Sequence, residues 1–234
     1  MNVSSPVALI TGAGRGIGRA AALELAKANY ELALVARSSS DLADTARLVG
    51  RGMVVPMDVT DPDAVESCVT NTVYEYGRLD AIIHCAGLAP VKSLPEMTVA
   101  LWREVLETNL SAAFYLCRAA WPQFKKQNSG VVVNISSEAS RDPFPGFAAY
   151  GAAKAALNLF GRSAAREGQP LGVRVHTIAP SAVETEMFRQ ILTKDQYPTE
   201  KTLSPEDVAR VIVQCVRGDL AHTSGEVIYI HKTL

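Results

Sequence analysis

Short apolar runs rich in β-branched residues alternate along the chain with longer amphipathic stretches. This pattern is typical of a parallel sheet covered by helices, because each strand is buried on both faces and each helix buries one side. The runs predicted to be strands are Val7–Thr11, Tyr30–Ala36, Gly52–Met57, Leu79–His84, Val131–Ser136, Val173–Ala179 and Glu226–Ile230. The pattern therefore predicts an α/β fold with a parallel sheet.

Helices are predicted between the strands, and several carry start and stop signals. Asp61 is an N-cap acid before a proline at the first helical position, and Gly77 is placed to end that helix. Ser204 and Asp207 resemble a capping box. The predicted helices are Gly16–Ala28, Asp41–Val49, Pro62–Tyr76, a long one from the cap Thr98 to Phe124, one that begins near Tyr150, and one after Ser204. Without repeats, low-complexity tracts or linkers, residues 1–234 are interpreted as one domain.

Composition narrows this picture mainly by exclusion. The 234 residues carry a formal net charge of -1, without the clustered positive excess of a nucleic-acid or membrane-surface binder. The four cysteines form no C-x-x-C pair, so no zinc or other metal site is predicted. We find neither a signal peptide nor a membrane span. The widely spaced cysteines indicate a reducing setting, and we expect a cytoplasmic protein.

A glycine-rich turn with the spacing T-G-x-x-x-G-x-G follows the first strand and opens the first helix. Its glycines permit a tight turn and close backbone approach to a pyrophosphate, and the helix N-terminus favours an anion. The spacing differs from the general G-x-G-x-x-G because Ile17 occupies the third glycine position. Such a turn is sometimes purely structural, but its place in the first βα unit favours dinucleotide binding. The predicted cofactor contacts here are Gly12, Arg15, Gly16, Ile17 and Gly18.

The end of the second strand indicates which dinucleotide is bound. An acid there would bind the ribose 2′-hydroxyl of NAD, but this chain has Arg37 and Ser38 instead. Together with Arg15 these residues are suited to a 2′-phosphate, which predicts NADP, with NADPH preferred over NADH. Asp58, just past the third strand, is either an acceptor for the adenine amino group or a turn and capping acid.

Candidate chemistry lies at Tyr150 and Lys154, four residues apart on a predicted helix and downstream of Ser137. Positions i and i+4 share one helix face, so the ammonium is expected to lower the tyrosine pKa from its reference of about 10. A tyrosine tuned in this way acts as a general acid or base near neutral pH. The alternative is an ordinary surface pair.

These residues resemble, in order along nearly the whole chain, the motifs of the short-chain dehydrogenase/reductase family, in its small single-domain branch. The matching residues are the glycine turn, Asp58-Val59, Asn109, Ser137, Tyr150-x-x-x-Lys154 and Pro180 through Thr185. The resemblance implies a Rossmann-type doubly wound parallel sheet of about seven strands, with the site at their carboxyl ends.

The resemblance also implies roles for individual residues. Tyr150 would be the proton donor or acceptor, and Ser137 would hydrogen-bond the substrate oxygen. Lys154 would bind the nicotinamide ribose, and Asn109 would hold a water that links Lys154 to solvent. Further cofactor contacts would come from Val59, Ala86 and Gly87 on the adenosine side, and from Pro180, Val183 and Thr185 near the nicotinamide.

Some positions depart from the family pattern. The usual Asn-Asn-Ala-Gly after the fourth strand is His84-Cys85-Ala86-Gly87 here, which puts cofactor affinity in question more than chemistry. We interpret His84 as a core histidine with a satisfied polar bond. Ser181 replaces a common glycine, His176 replaces a common asparagine, and the end of the chain lacks the usual glycine pair.

The leading hypothesis is an NADPH-dependent carbonyl reductase that works reversibly on a ketone or aldehyde, similar to 3-oxoacyl-thioester reductases and to broad carbonyl reductases. The alternatives are an NADP-binding regulatory protein with little or no turnover and, last, a sugar epimerase or dehydratase. The expected partners are a small carbonyl or alcohol substrate and further copies of the chain, because Ala- and Leu-rich helices indicate a dimer or tetramer. Candidate substrate contacts are Leu88, Glu138, Phe144, Phe147, Met187, Phe188 and Ile191.

Overall fold

Seven parallel strands form one sheet in the order β3-β2-β1-β4-β5-β6-β7 in the computed structural model, which describes residues 5–233. The strands are β1 Val7–Thr11, β2 Glu31–Ala36, β3 Met53–Pro56, β4 Ala81–His84, β5 Gly130–Ile135, β6 Val173–Pro180 and β7 Val227–Ile230. The order reverses between β1 and β4, so the sheet is doubly wound and a crevice opens at that point. The predicted fold class is confirmed, and each predicted strand end lies within two residues of the observed one.

Helices cover both faces of the sheet. They are α1 Gly16–Lys27, α2 Ser39–Val49, α3 Pro62–Tyr76, α4 Val99–Leu106, α5 Ala112–Gln127, α6 Ala148–Gly168, α7 Glu186–Arg189 and α8 Pro205–Arg217. One core packs Ile10 and Ile83 against α1, α2 and α8, and the other packs Leu9 and Ile82 against α3, α5 and the end of α6. Neighbouring strand residues thus enter opposite cores, which explains the continuous apolar runs.

The predicted caps are present. Asp61 accepts hydrogen bonds from the backbone of Asp63 and Ala64, and Gly77 ends α3 in the left-handed region. Ser204 and Asp207 form a reciprocal capping box at the start of α8.

The long helix predicted from Thr98 to Phe124 is interrupted, which corrects the prediction. Thr98 does cap α4, but a π-helical turn at Glu107–Ser111 separates α4 from α5. The Asn109 side chain lies in this turn and donates to the carbonyl oxygen of Val105 at 2.9 Å. A wide turn of this kind re-aims side chains, and it occurs often at functional sites.

Candidate active site

A cavity of about 350 Å³ opens at the carboxyl ends of the central strands. The residues that line it from the predicted set are Gly12, Arg15, Gly16, Ile17, Gly18, Gly87, Ser137, Tyr150, Lys154, Pro180, Val183 and Thr185. The fold therefore brings the glycine turn and the Ser/Tyr/Lys set to one space, although they lie far apart in sequence.

Tyr150 reaches this cavity from the first turn of α6. Burial raises the pKa of Tyr150, and contact with the Ser137 hydroxyl opposes this only in part. The expected lowering of this pKa by Lys154 is therefore not found. Lys154 Nζ lies 5.6 Å from the centroid of the Tyr150 ring, as the i, i+4 spacing predicts, but it donates to the carbonyl oxygen of Ile135 at 2.8 Å. At neutral pH Tyr150 is protonated, which is the state a proton donor needs.

Lys154 is held in an unfavourable place for a charge. Lys154 is only 3% exposed. Burial lowers the pKa of its ammonium group to about 8, and the neighbouring Cys85 acts in the opposite direction. An ammonium has three N–H donors. One of them is bonded to the carbonyl oxygen of Ile135, and both residues line the cavity.

Asn109 ties the π turn to the loop after β4. Its amide nitrogen donates to the carbonyl oxygen of Leu88 at 2.8 Å, and its Oδ1 accepts from the backbone N–H of Leu88 at 3.3 Å. A Cβ on Gly87 would lie 3.0 Å from Asn109 Oδ1 and 3.7 Å from Lys154 Nζ. Asn109 and Lys154 therefore flank Gly87 on the way into the site. The water-holding role of Asn109 stays a prediction.

The glycine turn fits a dinucleotide because its surface is bare backbone. Gly12 and Gly16 have positive φ angles of 65° and 54°, and a Cβ on Gly18 would lie 2.2 Å from the carbonyl oxygen of Gly12. Only glycine allows this approach of the turn to itself, and it leaves N–H groups at the start of α1 for an anion.

Arg19 and Thr45 hold the glycine turn from behind and were missed by the sequence reasoning. Arg19 bonds both Thr45 Oγ1 and the carbonyl oxygen of Gly14, and Thr45 Oγ1 donates to the carbonyl oxygen of Ala13 at 3.0 Å. Asp41 was also missed, because it lies inside α2 and not at the end of β2. A Cβ on Gly14 would lie 2.8 Å from the Cβ of Asp41, so an acid does flank the turn.

His84 is buried in the core, as interpreted from sequence, and its Nδ1 is hydrogen-bonded, whereas its Nε2 has no hydrogen-bond partner among the described residues. Its Nδ1 and Thr11 Oγ1 are 2.9 Å apart, and the backbone N–H of Ala86 donates to the same hydroxyl at 3.2 Å. His84 thus joins the side chains of β4 and β1. Burial, together with the charge of Lys154, lowers the pKa of His84 to about 3, so the ring is neutral at physiological pH.

Apart from Gly87, the predicted adenosine-side residues lie outside the cavity lining. Arg37 is exposed at the end of β2, and Ser38 caps α2 by accepting from the N–H of Asp41 at 3.2 Å. Asp58 accepts from the N–H and hydroxyl of Thr60, which favours the turn and capping interpretation. Val59 is buried.

The segment after Thr185 covers the substrate side of the cavity. Of the predicted substrate contacts, Glu138, Phe144, Phe147, Met187, Phe188 and Ile191 line the cavity. Leu88 instead packs against Val105 and the start of α6. Arg189 organises the covering segment by bonding the Glu184 carboxylate and the carbonyl oxygen of Tyr197 at 2.7 Å. The sequence analysis did not identify this role of Arg189. The short spacing between Glu184 and Arg189 could have indicated their ion pair.

The chain belongs to the short-chain dehydrogenase family, whose model matches residues 6–196. The 3-oxoacyl-[acyl-carrier-protein] reductase of Vibrio cholerae is 31% identical over 238 residues, which cover 99% of this chain and 98% of the relative. The reductase of the same name from Staphylococcus aureus is 31% identical and covers 96% of both chains. Levodione reductase has a TM-score of 0.91 at 26% identity, over 97% of this chain and 96% of that chain. The resemblance found in the sequence is confirmed, and this is a reductase-like member of a nicotinamide-dependent oxidoreductase family.

The part of the chain that the structure describes contains neither a membrane-spanning helix nor a cluster of metal-ligating side chains. No helix within residues 5–233 is long and apolar enough to cross a membrane. In the same range no group of three or more His, Cys, Asp or Glu side chains is arranged to hold a metal ion. The four cysteines are free thiols.

Proposed function

We propose that this chain is an NADPH-dependent oxidoreductase that reduces a ketone or aldehyde to an alcohol, reversibly, with Tyr150 as general acid and base. One observation carries the proposal: Ser137, Tyr150 and Lys154 line the same cavity as the glycine turn. Reduction of a carbonyl group needs a proton donor, a hydrogen bond to the oxygen and a nearby dinucleotide.

The polar side chains have different roles in the proposed reaction. As the carbonyl oxygen gains negative charge, Tyr150 donates its proton and Ser137 holds the oxygen by a hydrogen bond. The nicotinamide, when bound, supplies the hydride. Lys154 binds the nicotinamide ribose through N–H donors beyond the one bonded to Ile135. Asn109 holds a water that lets protons from solvent reach Lys154.

We assign the cofactor contacts by position. The glycine turn holds the pyrophosphate, Arg37, Ser38 and Arg15 hold the 2′-phosphate, and Asp58, Val59, Ala86 and Gly87 face the adenosine. Pro180, Val183 and Thr185 contact the nicotinamide. Arg37 supports the NADPH preference because it is exposed and makes no ion pair within the described residues. Asp41 beside Gly14 acts against that preference, and so cofactor choice needs a measurement.

The test is carbonyl-dependent oxidation of NADPH by the purified chain, followed by cofactor absorbance, with neutral ketones and 3-oxoacyl thioesters as substrates. The proposal expects steady turnover that is faster with NADPH than with NADH. Tight NADPH binding without turnover of any carbonyl compound would favour the alternative, a regulatory protein that binds NADP.

We also propose that the chain forms a dimer or tetramer through α5 and α6. Phe114 on α5 and Leu159 on α6 are 49% and 69% exposed, which is unfavourable for large apolar side chains in a monomer. Light scattering at micromolar concentration checks this proposal, and a monomeric mass would contradict it. The four free thiols support the further proposal of a cytoplasmic location.

A further inference from the structure

An aromatic path leads from the surface to the proposed proton donor. The ring centroids of Phe144 and Phe147 are 5.8 Å apart, and those of Phe147 and Tyr150 are 5.4 Å apart. Phe144 is 59% exposed, whereas Phe147 is 7% exposed. All three aromatic residues line the cavity and offer apolar ring atoms to a substrate.

A second group of apolar residues from the segment after Thr185 lines the same cavity. It consists of Met187, Phe188, Ile191 and Leu192, with Tyr197 edge-on to Phe188 at 5.4 Å. A substrate that contacts both groups gains affinity by burying apolar surface, at roughly 25 cal/mol per Å². The shape and chemistry fit a ring or a bulky hydrocarbon group next to the reacting carbonyl.

Two positively charged residues, Lys154 and Arg15, line the cavity. Lys154 points inward and is bonded to Ile135. Arg15 forms an ion pair with Glu186 at 2.6 Å. In the proposed complex Arg15 binds the cofactor 2′-phosphate and Lys154 binds the nicotinamide ribose, so neither cation is left to bind an anionic group on the substrate.

The substrate side of the mouth carries excess negative charge. Glu138 is bonded to Arg141 at 2.7 Å, and His231 lies 3.5 Å from the same carboxylate. Asp142 also lines the cavity and makes no ion pair among the described residues. Arg141 therefore neutralises Glu138, and Asp142 is left as a negative charge that repels a phosphate-bearing substrate.

We propose that the substrate is an uncharged, apolar ketone with an aromatic or alicyclic body, and that Asp142 disfavours the same ketone chemistry on an anionic carrier such as coenzyme A. This inference rests on the proposed reductase function and selects among its substrates. It separates this chain from relatives whose names specify an acyl-carrier-protein substrate.

The experiment compares two thioesters that share one reacting group. Acetoacetyl-N-acetylcysteamine is neutral, and acetoacetyl-coenzyme A carries phosphates. Ethyl benzoylacetate is the neutral aromatic probe. At low ionic strength, kcat/KM is expected to be highest for ethyl benzoylacetate and lowest for the coenzyme A ester. Salt should narrow the difference between the two thioesters, because it screens exposed charges.

Asp142→Asn is expected to raise kcat/KM for the coenzyme A ester about two- to fivefold, the size of one exposed charge interaction, and to leave the neutral thioester unchanged. Asp219→Asn is the matched control, because it makes the same charge change at an exposed position outside the cavity lining. Phe144→Ala tests the aromatic path. It should lower kcat/KM for ethyl benzoylacetate more than kcat/KM for the small neutral thioester.

The outcomes separate the two proposals. If none of these ketones is turned over with NADPH, the reductase function itself is wrong. If ketones are reduced but the coenzyme A ester is used as well as the neutral thioester, the reductase stands and the substrate inference is overturned. If the ratio of kcat/KM for the two thioesters is the same in Asp142→Asn as in the wild type, the substrate inference is also overturned, because the charge of Asp142 then has no effect.

Discussion

The proposed catalytic end and the proposed adenosine end of the site are built in different ways. Lys154 and Asn109 at the catalytic end are 3% and 0% exposed, and each is bonded to backbone carbonyl groups. Arg37 and Asp58 at the adenosine end are exposed, and Ser38 serves a helix cap. The first region is fixed by folding, whereas the second presents charge on a surface.

This difference follows from what each end has to do. Donors that stabilise a developing charge are effective when they are already in place, because they need no rearrangement during the reaction. The charge of a 2′-phosphate acts over a longer distance than a hydrogen bond, so an exposed residue can bind it. Substitutions at the catalytic end should therefore change turnover or stability, and substitutions at the adenosine end should change cofactor affinity alone.

The largest effect is expected at Tyr150. Tyr150→Phe removes the proton donor and keeps the ring that packs on Phe147, so kcat/KM for ketone reduction should fall about 10²–10⁴-fold. NADPH affinity should change little. Tyr197→Phe is the matched control, because it removes a hydroxyl from the same cavity without touching the proposed proton transfer. Full turnover by Tyr150→Phe would disprove the mechanism.

The next effect concerns acid stability through His84. Its folded-state pKa of about 3 lies below the ordinary value of 6.5, so the unfolded chain binds more protons below pH 6.5. Stability is therefore lost as the pH falls from 6.5 toward 3. His84→Asn should reduce the loss of unfolding free energy between pH 7 and pH 5 by about 2 kcal/mol, measured by urea unfolding at both values.

Two other histidines, His176 and His222, matter for the interpretation of this experiment. His176, whose pKa is lowered to about 4 by burial and Arg174, keeps its own share of the acid sensitivity in the variant. His222→Asn is the control at an exposed histidine. An identical pH dependence in wild type and His84→Asn would show that the buried ring is not responsible.

Features that depend on neighbours in sequence were predictable. The Ser204–Asp207 box is local, and the strands follow from apolar runs that each core must bury. The same reasoning singled out Ser137, Tyr150 and Lys154 as candidate residues, and the fold brings them to one cavity.

Features that depend on distant partners were not predictable in the same way. The break in the Thr98–Phe124 helix accompanies bonds from Asn109 to Leu88, 21 residues earlier in the chain. The raised pKa of Tyr150 reflects burial that no spacing reports. Asp41 reaches the glycine turn only because α2 packs across it, so a search for an acid at the end of β2 missed it.

A smaller effect is expected at Arg37, and it concerns binding. Arg37→Ala should raise the Kd of NADPH about tenfold, the size of one charge-assisted hydrogen bond, and leave the Kd of NADH unchanged. Tryptophan and cofactor fluorescence titrations with both nucleotides measure this. Arg47→Ala, which removes an exposed arginine paired with Asp44 in α2, is the control. An equal rise in Kd for NADPH and NADH would show that Arg37 does not bind the 2′-phosphate.

The smallest effect is expected where the two ends meet. Arg15 in the glycine turn is paired with Glu186 in α7, and both side chains are more than half exposed, at 59% and 58%. A 2′-phosphate has to compete with this carboxylate for Arg15, so Glu186→Gln should tighten NADPH binding about two- to fivefold, as for one exposed ion pair. NADH binding should not change, because NADH lacks that phosphate. In an Arg15→Ala background the same substitution should have no effect on either nucleotide. A gain shared equally by NADPH and NADH would instead mean that Glu186 holds α7 over the cavity, and that Arg15 belongs to the covering segment and not to the phosphate site.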